Sequence, residues 1–231
     1  MLEAIGYDCE LAGWAASADS RIGRVLRVER GIATVLTEAG EVRASYGGRL
    51  LGWIAMNSSA TPCPGDWAVL RDWPDHRFTV EKLVPRRTSL VGCIGGHVLA
   101  ANVDLVAVVV SADDAPEADR LMPMVAMARA SGATPVLVVT RCDRVAEPPH
   151  RLGGCSPLLT SAKTGVGIDA LRDLVEARRT LALIGAPDQG KSTLMRALVG
   201  DLAVRRGPKR QLHLLPNGGA VIDTPSLRAV A

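Results

Sequence analysis

The stretch TLALIGAPDQGKSTL, residues 180–194, constrains the fold of this chain more than any other part of its sequence. A short apolar run leads into Gly185, and Gly190-Lys191-Ser192 then opens an amphipathic run. This matches the G-x-x-x-x-G-K-[ST] phosphate-binding loop between a strand and a helix. Glycines let the backbone curl so that successive N–H groups point at a polyphosphate, and the helix adds its positive N-terminal end. The alternative interpretation is a glycine-rich turn that leads into an ordinary helix.

The loop predicts a site for phosphate groups and for the Mg²⁺ that accompanies them. Lys191 is expected to reach the outer phosphates, and the Ser192 hydroxyl is expected to bind Mg²⁺. A nucleotide-binding domain ordinarily begins with this loop. Because the loop lies near the end of this sequence, the rest of the domain is expected upstream. The predicted phosphate-binding residues are Gly185, Ala186, Pro187, Asp188, Gln189, Gly190, Lys191, Ser192 and Thr193.

The composition is that of a soluble globular protein. The 231 residues are 48% hydrophobic and 22% charged, which suits one large domain or two small ones. The net charge of +3 allows an anionic partner without requiring one. The five cysteines are scattered without a C-x-x-C pair, which argues against a disulfide framework and favours the reducing cytoplasm. No basic signal-peptide head is present, and no apolar run approaches the roughly 20 residues that span a bilayer.

The aromatic residues divide the sequence into two parts. All seven precede residue 79, which predicts different cores in the two halves and a domain boundary between them. The boundary segment is rich in glycine, and its Arg86-Arg87 pair is expected to be solvated. The predicted division is a lead-in with a short helix at residues 1–20, a barrel at 21–85, a linker at 86–100 and an α/β domain at 101–231.

Short alternating runs separated by turn residues fill the first part. Five such runs, with a longer loop rich in Gly, Ser and Pro before the fourth, are typical of a small barrel of the OB type. Such barrels bind RNA through stacked aromatic side chains and basic strand faces, which suggests Trp53 or Trp73 as a stacking residue. Alternatively, the tryptophans fill the barrel and the arginines are solvated. The arginines concerned are Arg24, Arg27, Arg43 and Arg49.

The second part alternates apolar runs with helical periodicity. Residues 103–110, VDLVAVVV, form a continuous β-branched run, as in a strand that is covered on both faces. Further strands are predicted at 135–139, 157–160 and 180–184, with a closing hairpin around Asn217. This order predicts a doubly wound, mainly parallel sheet. Ligands of such sheets bind outside the carboxyl ends of the strands.

Two segments at predicted strand ends, TRCD (140–143) and SAK (161–163), resemble the [NT]-K-x-D and S-A-K guanine-recognition motifs of GTPases. Asp143 can accept hydrogen bonds from the ring N–H and the exocyclic amine of guanine, whereas adenine lacks this pair of donors. The backbone N–H of Ala162 is expected to meet the guanine carbonyl oxygen, and Lys163 to lie along the base. The predicted guanine-binding residues are Thr140, Arg141 and Asp143 after one strand, and Ser161, Ala162 and Lys163 after the next.

A third motif, DTPS at residues 223–226, resembles the D-x-x-G switch sequence. Asp223 is expected to hold Mg²⁺ through water, and Lys191 and Asp223 are the predicted catalytic residues. Base recognition thus precedes the phosphate loop along the chain, and the switch aspartate comes last. This order predicts a circularly permuted P-loop GTPase domain.

A barrel followed by a permuted GTPase resembles the RsgA (YjeQ/YloQ/EngC) family of small-ribosomal-subunit biogenesis GTPases. The resemblance covers roughly residues 20–228 and includes GRVLRVERG, the Gly65-Asp66-Trp67 turn, LVPRRTSL and LAANVDLVAVV. It implies hydrolysis of GTP with Mg²⁺, coupled to late maturation of the small subunit. It also implies contacts of the barrel with ribosomal RNA, a cytoplasmic location and no membrane partner.

The sequence departs from that family's pattern at several positions. The span 199–219, where the family carries a switch threonine, has no threonine, and Ser226 stands at the switch glycine. Arg141 replaces the usual lysine, and Pro187-Asp188 brings a carboxylate near the phosphates, which weakens binding by about 1 kcal/mol. The Cys and His ligands of the family's C-terminal zinc domain are absent from this sequence, so no zinc site is expected.

These departures predict a guanine-nucleotide binder with slow hydrolysis and little discrimination between GTP and GDP. The alternative is a degenerate, non-hydrolysing paralogue that binds guanine nucleotide or RNA. An ATP-using P-loop enzyme is disfavoured by Asp143 and the SAK segment. The basic tract at residues 205–210 either pairs with RNA phosphates or is a solvated loop.

Overall fold

The computed structural model describes residues 2–15, 17, 19–92, 96–114, 118–149, 156–200 and 210–226. The strands are β1 (Ser20–Glu29), β2 (Ile32–Thr37), β3 (Gly40–Tyr46), β4 (Trp67–Asp72), β5 (Phe78–Leu83), β6 (Ser89–Val91), β7 (Val98–Ala101), β8 (Leu105–Ser111), β9 (Thr134–Thr140), β10 (Leu158–Leu159), β11 (Thr180–Ile184), β12 (Gln211–Leu214) and β13 (Ala220–Asp223). The helices are α1 (Cys9–Ala12), α2 (Gly48–Met56), α3 (Ala118–Ala130), α4 (Ile168–Leu174) and α5 (Lys191–Val199). Short 3-10 turns lie at Leu2–Ile5, Ser58–Ala60 and Cys142–Arg144.

Strands β1 to β5 close into a barrel in the order β1-β2-β3-β5-β4-β1. Neighbours are antiparallel except β3 and β5, which run parallel. Closure leaves the barrel without a free sheet edge. Its interior is filled by small and branched apolar side chains, among them Val25, Val35 and Leu70. The predicted OB-type barrel is confirmed.

The long segment before β4, predicted as a loop, contains α2 and a 3-10 turn. Gly48 and Gly52 lower the helix propensity of this stretch, which hid the helix in the sequence. Packing overrides that propensity, because Leu50 is buried against the barrel core and Ile54 packs beside it. The helix therefore covers one end of the barrel.

Described parts of the segment predicted as a linker form β-structure, since β6 (Ser89–Val91) and β7 (Val98–Ala101) pair antiparallel. Leu90 and Ala100 are fully buried. The Arg86 guanidinium is not solvated as predicted, because it binds the buried Asp66 carboxylate at 2.7 Å, whereas Arg87 is exposed. Residues of this segment thus belong to the packed body of the protein.

The second sheet has the strand order β10-β9-β8-β11-β13-β12, and every neighbouring pair is parallel except β12 with β13. Side chains of β8 alternate between two cores. Val106, Val108 and Val110 face the core that contains α3, and Val109 faces the core built with α4 and α5. Helices therefore cover both faces, as the doubly wound prediction required. No helix within the described ranges has the length and apolar character needed to cross a bilayer.

The barrel and the α/β sheet share a buried joint. Strand β12 pairs with β1 at Gln211 and Arg27, and Arg24 of β1 is only 1% exposed. Its guanidinium donates to Asn102 O at 3.1 Å, to Thr180 Oγ1 at 2.8 Å and to a carbonyl of the lead-in. Burial lowers the pKa of Arg24 to about 10. Arg24 is therefore neither available to RNA nor solvated, the two alternatives that the sequence offered, because this side chain joins the two parts of the fold.

The lead-in contains less helix than predicted, and it packs against the α/β part of the protein. It consists of a 3-10 turn and the single turn α1, and Leu2 and Ile5 are buried in the large core. The carbonyl of Ala4 accepts hydrogen bonds of 2.8 Å from the backbone N–H groups of Arg178 and Gly219. The N-terminal residues thus support the strands that carry the phosphate loop.

Candidate nucleotide-binding site

The phosphate loop follows β11 directly, and two of its glycines are required by their surroundings. Gly185 has φ +155°, and a Cβ there would lie 2.5 Å from Val109 O of the neighbouring strand. Gly190 has φ +84°, and its Cβ would lie 2.9 Å from Thr140 Oγ1. Only glycine adopts these conformations at such close approach. The motif spacing read from the sequence therefore has a steric cause in the fold.

The loop presents backbone donors that lack protein partners. Within the residues that the structure describes, no acceptor takes a hydrogen bond from the N–H groups of Asp188, Gln189, Gly190 or Ser192. Backbone donors without a protein partner are satisfied by water or by a ligand. Several such donors in one curled loop at a helix N-terminus are typical of a polyphosphate cradle.

Lys191 lies inside this loop and not in solvent, since it is 6% exposed. Its ammonium group donates to Gly185 O at 2.9 Å and to Ala186 O at 2.6 Å. These carbonyls hold the positive charge at the base of the loop. Ser192 and Thr193, the next residues of α5, are exposed on the outer side. The predicted phosphate-binding residues thus form one continuous segment that runs from the end of β11 into the first turn of α5.

Asp188 is the unusual residue of the loop. It has φ +61°, the left-handed conformation that glycine adopts most readily, and it is exposed beside Pro187. Asp and Asn tolerate this conformation better than other side chains do. The loop thus keeps its shape without a glycine here, and it carries a carboxylate at its rim.

Thr140 and Arg141, predicted to bind guanine, make their side-chain contacts with the phosphate loop. The Thr140 hydroxyl is buried and donates to Gln189 O at 2.8 Å. Arg141 Nη2 donates to Asp188 O at 2.9 Å. Thr140 ends β9 and Arg141 follows it, so the end of this strand is anchored to the loop that follows β11. A contact of either side chain with a base stays a prediction.

Asp143 is held by the segment that follows β10. The Ser161 hydroxyl donates to Asp143 Oδ1 at 2.5 Å, and this hydrogen bond lowers the pKa of the carboxyl group. The nearby positive charge of Lys163 acts in the same direction. Ser161 is buried, whereas Asp143 and Ala162 are exposed. An ionised carboxylate and a neighbouring exposed backbone N–H thus face solvent at the same edge of the sheet.

Asp223 stands at the end of β13, directly beside the strand that feeds the phosphate loop, where it pairs with Leu183. Thr224 is buried, and its hydroxyl donates to Leu183 O at 2.6 Å, which fixes the chain just after Asp223. Ser226, two residues further, is exposed. A carboxylate and the Ser192 hydroxyl are hard oxygen donors of the kind that Mg²⁺ prefers. In the described ranges no three His, Cys, Asp or Glu side chains gather as a metal cluster.

A segment that the sequence did not single out also reaches the site. It is residues 111–114, which begin at the last residue of β8. Asp113 accepts hydrogen bonds from Arg141 at 3.5 Å and Arg144 at 3.2 Å. Ser111 and Asp114 contact the side chain of Gln189. The position of these residues in the sequence could have indicated their role, because they are polar residues at the end of a buried strand, at the sheet edge where ligands bind.

Two predicted features fall on residues that the structure does not describe. Residues 201–209 include the shortened switch and the tract from Arg205 to Lys209, and residues 227–231 follow Ser226. Arg210, the last member of the basic tract, is described and donates to Val98 O at 2.7 Å. The tract's contact with RNA therefore stays a prediction.

Sequence comparisons find relatives over most of the chain. A family model described as RsgA GTPase matches residues 83–231. The "Small ribosomal subunit biogenesis GTPase RsgA" of Streptomyces coelicolor is 34% identical over 90% of this chain and 63% of its own length. The protein of the same name from Opitutus terrae is 33% identical over 98% of this chain and 72% of its own. The RsgA 2 protein of Lactiplantibacillus plantarum is 30% identical over 90% and 65%. The chain thus spans about two thirds of the length of these relatives.

Structural comparison gives the same fold. The crystal structure of YjeQ from Thermotoga maritima superposes with a TM-score of 0.70 at 24% identity, over 89% of this chain and 74% of that one. The structure of YloQ, described as a circularly permuted GTPase, gives 0.64 at 20% identity over 94% and 75%. The strand order and the late position of the phosphate loop agree with that permuted architecture.

Proposed function

Since this chain belongs to the RsgA GTPase family, we propose that it binds guanine nucleotide with Mg²⁺ and hydrolyses GTP slowly. The observation that carries the proposal is the joining of the two recognition segments. Thr140 connects the end of β9 to the phosphate loop, and Ser161 connects Asp143 to the end of β10. A ligand that spans these segments needs a polyphosphate at one end. At the other end it needs two hydrogen-bond donors for the Asp143 carboxylate.

Guanine supplies that donor pair. The Asp143 carboxylate accepts from the ring N–H and the exocyclic amine, while adenine would leave it unpaired. The Ser161 hydrogen bond lowers the pKa of Asp143, so this acceptor stays ionised further into the acid range. The N–H groups of Asp188, Gln189 and Gly190 would hold the phosphates, with Lys191 neutralising their charge.

Magnesium would bind between the nucleotide and the ends of two neighbouring elements. Ser192 at the start of α5 and Asp223 at the end of β13 would hold it, the aspartate through water. The ion would neutralise charge on the phosphate oxygens during hydrolysis. Few protein ligands are needed, because Mg²⁺ keeps waters and phosphate oxygens in its shell.

Three features favour slow hydrolysis and weak discrimination between GTP and GDP. Asp188 places a carboxylate at the rim of the phosphate loop, and Ser226 stands where the switch motif has glycine. The sequence between 199 and 219 contains no threonine to complete the metal shell. In GTPases the γ-phosphate orders such switch segments, and this ordering distinguishes the GTP-bound state from the GDP-bound state. These same features support the second candidate function, a non-hydrolysing guanine-nucleotide or RNA binder.

We also propose that the protein acts in the cytoplasm on the small ribosomal subunit, as the names of its relatives suggest. On the barrel, Trp53 is the aromatic side chain that supports an RNA contact, since it is 57% exposed and follows the exposed Arg49 by one helical turn. Trp73 is the weaker candidate, because its ring lies 3.9 Å from the Arg71 guanidinium and its N–H binds Thr79.

The test is titration of the purified protein with fluorescent GDP and GTP, with and without Mg²⁺, followed by phosphate release with and without small ribosomal subunits. Lys191→Ala is the control, because it removes the ammonium group of the phosphate loop. Binding of both nucleotides with similar affinity, and turnover above that of the variant, supports the proposal. Absence of guanine-nucleotide binding would contradict it, and binding with turnover no higher than that of Lys191→Ala would favour the second function.

A further inference from the structure

The side chain of Gln189 is directed toward the end of β8 and is buried, with 7% of the residue exposed. Its Oε1 accepts a hydrogen bond from the backbone N–H of Ser111 at 2.6 Å. Its Nε2 donates to Asp114 Oδ2 at 3.1 Å. Both ends of the amide are thus bound by the segment that follows β8, which is neither part of the loop nor of the base-recognition motifs.

The segment that receives Gln189 is itself fixed. Ser111 is the last residue of β8, and the backbone N–H of Asp114 returns to Ser111 O at 3.2 Å. Asp113, between them, binds Arg141 and Arg144 of the base-recognition segment. Two adjacent carboxylates therefore contact two different segments. Asp114 contacts the phosphate loop, and Asp113 contacts the segment after β9.

The phosphate loop needs such an anchor. Asp188 is held in a left-handed conformation that costs a non-glycine residue about 1 kcal/mol or more. Unpaired backbone donors in a curled loop favour its opening when no ligand is bound. The Gln189 amide opposes this, because its hydrogen bond to the Asp114 carboxylate is stronger than one between neutral groups. Thr140 holds the carbonyl of the same residue from the other side.

We propose that Gln189 is a positioning residue whose pairing with Asp114 holds the phosphate loop in its nucleotide-binding conformation. The pair lies behind the loop and acts through the backbone N–H groups that face the ligand. It therefore affects the affinity for the phosphate part of a nucleotide and leaves the affinity for the base unchanged. This inference rests on the proposed function, since it requires that the loop bind guanine nucleotide.

The test exchanges the hydrogen-bond donor at residue 189 and the acceptor at residue 114. Gln189→Glu keeps an acceptor for Ser111 but sets a second carboxylate against Asp114, so affinity for GDP is expected to fall roughly tenfold. Asp114→Asn is expected to have a smaller effect, because its amide oxygen still accepts from Gln189. In the double variant, which combines Gln189→Glu with Asp114→Asn, the amide at residue 114 donates to the carboxylate at residue 189. GDP affinity is therefore expected to return to within about threefold of wild type.

Two controls distinguish a positioning effect of Gln189 from an effect of net charge and from a loss of folding. Asp188→Asn combined with Gln189→Glu has the same net charge as the rescued pair but no new hydrogen bond, so the effects of its two substitutions are expected to add. Guanosine, which has no phosphate, is measured by competition with fluorescent GDP in every variant. Its affinity is expected to change less than about twofold, because the base does not contact the loop.

Unchanged GDP affinity in Gln189→Glu would overturn the inference. So would additive effects of Gln189→Glu and Asp114→Asn, which is the result expected only of the control pair, or an equal loss of GDP and guanosine binding. Wild-type protein that binds no GDP would overturn the proposed function and this inference with it. Wild-type binding with the expected rescue pattern supports both.

Discussion

The hydroxyl of Thr140 donates a 2.8 Å hydrogen bond to the backbone carbonyl of Gln189, and so joins the end of β9 to the phosphate loop. The two residues belong to motifs that are separate in the sequence. Their contact makes base recognition and phosphate binding one structural unit.

Thr140→Val keeps the shape of this side chain and removes the donor. The Gln189 carbonyl then loses a buried partner, which is expected to lower GDP affinity about fivefold. Thr140→Ser, which keeps the hydroxyl, is the matched control and should bind GDP as tightly as wild type. Fluorescence titration measures both, and equal affinities of the valine and serine variants would contradict the prediction.

Asp188→Asn removes the carboxylate at the rim of the loop while keeping a side chain that tolerates φ +61°. Relief of repulsion worth about 1 kcal/mol is expected to tighten GDP binding about fivefold. The gain should shrink in 1 M salt, where charges are screened within about 3 Å. A gain that does not depend on salt would point to a conformational cause and count against the electrostatic one.

Gly185→Ala would place a methyl group 2.5 Å from Val109 O. The strand ends must separate to relieve this contact, so unfolding free energy is expected to drop by about 3 kcal/mol and nucleotide binding to be lost. Gly31→Ala is the control, because Gly31 has φ +80° and, among the described residues, no heavy atom lies within 4 Å of its Cβ position. Its cost is limited to backbone strain of about 1 kcal/mol. Equal losses of stability in urea denaturation would refute the steric argument.

Nucleotide binding is expected to depend on the ionisation of Asp143. The Ser161 hydrogen bond lowers the pKa of this carboxyl group, so the group stays ionised as pH falls below its usual titration range. Ser161→Ala removes the hydrogen bond and raises this pKa toward its usual value. The loss of GDP affinity on acidification should therefore begin at a higher pH in the variant. Profiles that coincide between pH 3 and 7, the range around the usual carboxyl pKa of about 3.9, would show that Asp143 does not govern binding.

Arg24→Met is expected to destabilise the fold by about 2 kcal/mol, since the buried carbonyl of Asn102 and the Thr180 hydroxyl lose their charged donor. The matched control is Arg21→Met on the same strand, whose side chain is 51% exposed and pairs with Asp72. A surface pair contributes at most about 1 kcal/mol, so the control should remain close to wild type. Thermal unfolding of the two variants measures the difference.

The motif segments were predictable from sequence because the fold brings the carboxyl ends of parallel strands to one edge. Asp143, Ser161 and the phosphate loop each follow an apolar run, so their convergence needed no knowledge of distances. Strand periodicity likewise gave the barrel and the doubly wound sheet, because alternation and buried runs are local properties.

Long-range and packing effects were not predictable. Arg24 resembles a solvated strand residue, and its partner Thr180 lies 156 residues away along the chain. Helix α2 contains two glycines and exists because Leu50 packs on the barrel. The anchoring of Gln189 depends on Asp114, which belongs to no motif.

The pairing of β12 with β1 has a mechanical consequence. One continuous ladder of hydrogen bonds runs from the strand beside the phosphate loop, through β13 and β12, into the barrel. The hairpin of β12 and β13 ends at Asp223, the residue expected to respond to the metal and nucleotide. A displacement of that hairpin would be transmitted through the paired backbones of β12 and β1 to the edge of the barrel.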